Sequence, residues 1–192
     1  MTTGVFRVDG ALTSADERRR FLEVLALPPN ARLLEVLGAT VEGADESFDA
    51  VLCVDGITSV SDRAATLAQW TRLVKPGGRI LYTDPAIVAG LVSSDELASR
   101  SAMGRVVFSS QGVNEWLIED AGLRLLRADD ATEGIAEVAL RLRAERGQDE
   151  AALVAAEGRL RFDTQQRYLD AVYRLSSERR LARVAFLAEK SP

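Results

Sequence analysis

Phe48-Asp49-Ala50-Val51-Leu52-Cys53-Val54-Asp55 and, some twenty residues on, Lys75-Pro76-Gly77-Gly78-Arg79-Ile80-Leu81-Tyr82-Thr83-Asp84 decide the fold. The run from Asp49 to Asp55 is apolar and rich in β-branched residues, as in a strand buried on both faces of a parallel sheet. Between the two stretches, Ser61 to Val74 places Ala64, Leu67, Trp70 and Val74 on one side of a helix, and Lys75 to Gly78 closes it. Arg79 to Asp84 reads as the next strand. Strand, helix, glycine turn and strand together make a parallel βαβ unit, expected to be right-handed.

Upstream, Ser14-Ala15-Asp16-Glu17 has capping-box spacing, and Phe21, Leu22 and Leu25 continue it as an apolar helical stripe that Pro28-Pro29 ends. Leu33 to Leu37 predicts a short strand, and Gly38 to Ser47 a polar loop. Downstream, helices are expected over Asp95–Ala102 and Gln111–Ala121, with a strand over Leu123–Arg127. Three further helices follow over Thr132–Arg146, Glu150–Arg161 and Thr164–Leu175, and a last strand over Arg183–Glu189. Trp70 and Trp116 read as core. No repeat, low-complexity segment or linker divides the chain. We read one domain: a shortened N-terminal part (1–47), a sheet core (48–130), a helical cap (131–180) and a final strand (181–192).

Composition removes several classes of function. The 192 residues carry 24 Lys and Arg against 29 Asp and Glu, a net charge of -5, with the arginines dispersed among acids. Such a chain offers no footprint for nucleic acid. It contains no His, which excludes His-based triads and His-ligated metal, and no metal site is expected. Cys53, the single cysteine, lies in an apolar run and reads as a buried thiol. No leader-like N-terminus and no 18-residue apolar run are visible, so a cytoplasmic protein without a membrane partner is expected.

Three stretches together resemble the class I S-adenosylmethionine-dependent methyltransferases of the small-molecule type: 47–55, 70–81 with its Leu-Val-Lys-Pro-Gly-Gly turn, and 114–123. In that family they correspond to the fourth strand, the turn and fifth strand, and the helix leading into the sixth. Residues 180–187, after the helical stretch, are similar to the family's seventh strand after its cap. The resemblance covers residues 47 to 190 and implies an α/β fold with a reduced, mainly parallel, Rossmann-like sheet under a C-terminal helical cap.

The upstream part departs from the family. There the cofactor lies on a Gly-rich turn after the first strand, with an acid ending the second strand to hold the ribose. Here Leu33 to Thr40 occupies the first-strand position with one glycine, Gly38, and only ten residues (38–47) separate it from Phe48. Two strands and two helices need on the order of fifty residues. The departure leads us to expect that the cofactor half is missing and that no cofactor is bound.

Ligands of open parallel sheets sit beyond the carboxyl ends of the strands. That rule nominates Asp55, Thr58 and Ser59 after one strand, and Tyr82 and Asp84 on the next, with Asp55 and Asp84 as catalytic acid or base facing one crevice. The other role open to both carboxylates is to cap the following loop or helix. Arg100 and Arg105 are candidates for holding a substrate oxyanion. Phe108, Phe162 and Tyr168 are candidates for an apolar substrate wall.

The expected function is therefore a SAM-independent enzyme, such as a cyclase or isomerase, acting on a small organic molecule of secondary-metabolite type. Two alternatives stand beside it: a non-catalytic partner subunit of an active methyltransferase, and a residual SAM-dependent methyltransferase. A homodimer is expected too. Ten residues are few for a parallel crossover, and exchange of the segment 12–40 between copies would relieve both the crossover and the bare sheet edge.

Overall fold

The computed structural model describes residues 12–37 and 41–192. One mixed sheet runs through it, with helices on both faces. In chain order the elements are α1 (Ala15–Leu25), β1 (Leu33–Glu35), β2 (Phe48–Cys53), α2 (Arg63–Leu73), β3 (Val74–Val88), α3 (Ser94–Arg100), β4 (Ser109–Ser110), α4 (Val113–Asp120), β5 (Leu123–Asp130), α5 (Thr132–Gln148), α6 (Glu150–Glu157), α7 (Arg159–Ser177) and β6 (Leu181–Lys190). The sheet order is β1-β2-β3-β6-β5, with β4 paired to β3. β1, β2, β3 and β4 pair in parallel, and β6 runs antiparallel between β3 and β5.

Strand alternation sends side chains to two different layers. Val51, Cys53, Ile80 and Tyr82 meet Leu67 and Trp70 of α2 and Leu117 and Ile118 of α4. Ala50, Leu52, Leu81, Ala185 and Leu187 face the other way, onto Phe21 and Leu25 of α1. Each such large apolar side chain contributes about 1.5–3 kcal/mol by leaving water. The cap is held by α5 against α7 through Ile135, Val138, Leu169 and Val172, with Leu12 from the N-terminal segment in the same cluster.

Lys75-Pro76-Gly77-Gly78 does not lie between α2 and β3 as expected but inside β3, as an irregularity between the Phe48–Val74 and Ala50–Arg79 pairs. Gly77 sits at φ +73°, and a Cβ on Gly78 would lie 2.7 Å from the Lys75 carbonyl oxygen. Both positions need the freedom only glycine has.

β1 lies directly beside β2, Leu33 opposite Ala50. The described residues of the connection from Val36 to Ser47 form no helix. Its described part, Val41 to Ser47, lies along α2: the Val41 carbonyl accepts from the Gln69 side chain (2.7 Å), and the Glu46 and Ser47 amides donate to the Arg72 and Leu73 carbonyls (3.0 Å each). α2 does the work of a crossover helix. α1 packs on the sheet of its own chain. The outer edge of β1 has no strand beside it among the described residues. Trp116, expected in the core, is 60% exposed on α4.

Candidate active site

Asp55 follows the carboxyl end of β2, but Asp84, expected to end its strand, lies inside β3, which runs on to Val88; two buried ion-pair clusters claim the carboxylates. Asp55 follows β2 in a left-handed conformation, φ 59°, and opens the short 3-10 turn Gly56–Ser59. Its Oδ1 accepts from Thr83 Oγ1 (2.6 Å) and Arg183 Nε (2.9 Å), and its Oδ2 from the Leu12 amide (3.1 Å). Arg183, on β6 and without solvent exposure, also donates to Glu17 Oε2 and Thr13 Oγ1, 2.7 Å each. One buried guanidinium thus joins the end of β2, the start of α1 and the chain entering it.

Asp84 is fully buried and bound differently. Arg63 pairs with it, and Asn114 Nδ2 donates to its Oδ2 at 2.9 Å. Arg63 also donates to Ser109 Oγ (2.5 Å) and the Val107 carbonyl (2.7 Å), and the Tyr82 hydroxyl donates to Asn114 Oδ1 (3.2 Å). Burial, then the Asp84 carboxylate, push the Tyr82 phenol well above its ordinary pKa. Burial likewise pushes the Cys53 thiol up to about 12, so the single cysteine is no nucleophile at neutral pH.

The expectation that Asp55 and Asp84 face one crevice is corrected here. Asp55 bonds Thr83, whose neighbours in the sheet pack on α1, whereas Asp84 is held by α2 and α4. Alternation along β3 sends adjacent positions to opposite faces. Each carboxylate is a counter-ion of a buried arginine. The remaining candidates scatter. Thr58 is buried; its hydroxyl caps the Asp55 carbonyl, and its carbonyl accepts from the Val107 amide at 2.7 Å. Ser59 and Arg105 are exposed. Phe108 lies against the end of α7 and, with Arg63, Ser109 and Leu117, lines an open groove of about 640 Å³. Arg100 is buried over the Tyr168 ring (5.2 Å) and donates to its hydroxyl (3.2 Å), as a tie between α3 and α7. Phe162 sits between Arg146 and Arg159, thirteen residues and about 20 Å of helix from the α7 end that meets the sheet.

Sequence reading missed Arg63, Asn114, Ser109, Arg183 and Glu17. Two signals were there. Arg63 stands in the first turn of α2, where the helix dipole disfavours a cation, and Arg183 interrupts an apolar strand. Either misplacement points to a buried partner.

Similarity to known proteins agrees with this architecture. A family model described as a methyltransferase domain matches residues 5–82. Methyltransferase GfsG of Streptomyces halstedii is 29% identical over 96 residues, 47% of this chain and 34% of that protein. The curated relatives it matches are covered over only 17–35% of their length. Among solved structures, the cyclopropane synthase MmaA2 of Mycobacterium tuberculosis superposes with a TM-score of 0.73 at 12% identity, over 93% of this chain and 86% of that one. Phosphoethanolamine N-methyltransferase 2 of Haemonchus contortus, in complex with S-adenosyl-L-methionine, gives 0.69 at 20% identity, over 79% and 35%. The [4+2]-cyclase SpnF gives 0.58 at 14%, over 80% and 53%. The chain has the fold of the class I S-adenosylmethionine-dependent methyltransferases.

The expectation of no cofactor is overturned by these likenesses. The matching family is one of methyltransferases, and structures of this fold hold S-adenosylmethionine or S-adenosylhomocysteine. The described residues at the ends of β1 and β2 form no open cradle for that molecule. A Cβ on Gly56 would lie 2.9 Å from the Leu37 carbonyl carbon and 3.0 Å from its oxygen, so bare backbone from the ends of β1 and β2 meets there. The chain itself fills that contact, with the Cys53 sulfur 2.8 Å from the same point, so Gly56 serves close packing of the two strand ends. For the nucleoside end, no strand stands beyond β1 among the described residues, and Glu35 is already paired with Arg18.

Proposed function

We propose that the chain serves S-adenosylmethionine-dependent methyl transfer to a small organic acceptor. The single observation carrying this reading beyond the fold is the engagement of both predicted carboxylates by buried arginines. When bound, the cofactor supplies an electrophilic methyl group on a sulfonium. Such a donor asks of the protein chiefly alignment and exclusion of water, not a strong acid or base. The turn Gly56–Ser59, pinned to Val107 through Thr58, fixes the rim over which an acceptor approaches. Ser59 offers it a hydroxyl, and Phe108 and Leu117 an apolar wall. Calorimetric titration of the full chain with S-adenosylhomocysteine tests the reading. Saturable one-to-one binding is expected, and no binding tighter than about 1 mM, roughly -4.1 kcal/mol, overturns it.

A second reading, a two-chain assembly, is supported by the bare outer edge of β1. Exposed strand edges are normally covered or paired, and a second chain laid along it would also stand where the nucleoside end lacks partners.

A further inference from the structure

A cavity of about 660 Å³ lies on the α1 face of the sheet, between α1, the first turn of α5 and strands β5 and β6. It shares no lining residue with the groove at Phe108, and its volume is in the range of small-molecule pockets. Its floor is apolar: Phe21 and Val24 from α1, Leu81 from β3, and Ala185 and Leu187 from β6.

One wall is a buried carboxylate. Glu17 is 4% exposed, and its Oε2 is taken by Arg183 (2.7 Å) and Thr13 (2.8 Å). Its Oε1 has no hydrogen-bond partner among the described residues. That oxygen stands against Gly134, itself on the cavity wall, so closely that a Cβ there would collide with it. Among the described residues Arg183 is the only cation bonded to Glu17 and to Asp55, so the described part of the cluster sets one guanidinium against two carboxylates. An uncompensated charge beside an apolar floor is costly unless something of opposite sign fills the space.

The rim adds to the imbalance. Arg127 pairs with Asp129 (2.8 Å), and Asp130 with Arg179. Glu133 and Glu137, one turn apart on α5, have no ion-pair partner among the described residues, and neither does Arg20 across the opening on α1. After pairing among the described residues, the wall offers three carboxylates (one of them half-engaged) and one free cation. The Thr132 amide in the first turn of α5 is occupied by Asp130 Oδ1 (2.9 Å), which weakens the pull of that helix end on an anion.

We propose that this cavity binds a small organic cation, an alkylammonium whose nitrogen sits on Glu17 Oε1 and the Glu133–Glu137 rim, with its hydrocarbon body on Leu81 and Leu187. The probes are hexylammonium, hexanol and hexanoate, titrated into the full chain by calorimetry, with the Gly134 amide shift as a local reporter. Hexylammonium is expected to bind saturably, about tenfold or more tighter than hexanol, and to move Gly134. Glu133→Gln with Glu137→Gln, both exposed, should weaken hexylammonium several-fold and leave hexanol unchanged. Glu17→Gln should weaken it further; if that variant fails to fold, the exposed pair decides. Equal binding of hexanol, tighter binding of hexanoate through Arg20, or no saturable binding of hexylammonium each overturns the proposal.

Discussion

Asp84 and Asp55 differ in how much of their arginine's bonding they supply, and this sets the effect of replacing them. Arg63 has Asp84 as its sole ion-pair partner among the described residues, and both are buried. Asp84→Asn therefore strands a buried cation and should cost about 3–5 kcal/mol, read as a lower urea midpoint. Arg183 keeps Glu17 when Asp55 is changed, so Asp55→Asn should cost less, about 1–3 kcal/mol. An equal or reversed order would show that the clusters do not carry the charges as drawn. Cys53 gives a second check at this scale. With its thiol pushed up to about 12 by burial, it should resist a thiol reagent at pH 8 in the folded protein and react fully in denaturant.

Among the elements, α3 is fastened by one carboxylate. Glu96 closes a capping box with Ser93 and receives two bonds from Arg180 (2.9 and 2.7 Å), with Arg174 at 3.2 Å. The Arg180 bonds, followed by the Ser93 amide, hold its pKa at about 2, against 4.5 ordinarily. The folded state thus binds this proton less readily than the unfolded state. The stabilisation is present above pH 4.5 and is lost as pH falls from there toward 2. Urea denaturation at pH 7 and pH 3 should show the natural chain losing more stability over that interval than Glu96→Gln; parallel losses would remove Glu96 from this role. The elements also mark what the sequence could disclose. The βαβ unit, the three cap helices and the last strand were legible because their apolar periodicity is local. Ser14 does accept from the Glu17 amide as the spacing implied, yet the Glu17 carboxylate turns to Arg183, 166 residues away. No local pattern shows a partner at that distance. The same holds for the site: the rule for strand ends found Asp55 and Asp84, whereas which face each one occupies depended on the arginines opposite.

At the scale of the whole molecule, the unpaired β1 edge predicts association. Light scattering at micromolar concentration is expected to give twice the single-chain mass of 20.8 kDa. A proline at Glu35, whose amide points away from β2, should shift the population toward the monomer. A mass of 20.8 kDa for the natural chain would dismiss pairing with itself. No helix among the described residues is long and apolar enough to cross a membrane.

Arg183 also ties the order of synthesis to the order of folding. Its guanidinium meets Thr13, Glu17 and Asp55, made 128 to 170 residues earlier. Until it leaves the ribosome, α1 can settle on the sheet only by leaving two carboxylates without their cation, and β6, the strand between β3 and β5, does not yet exist. Contacts of such sequence separation slow folding. The nascent chain therefore gains its native state late and in one step, and an interrupted translation product ending before β6 is a substrate for chaperones and proteases, not a partly active domain.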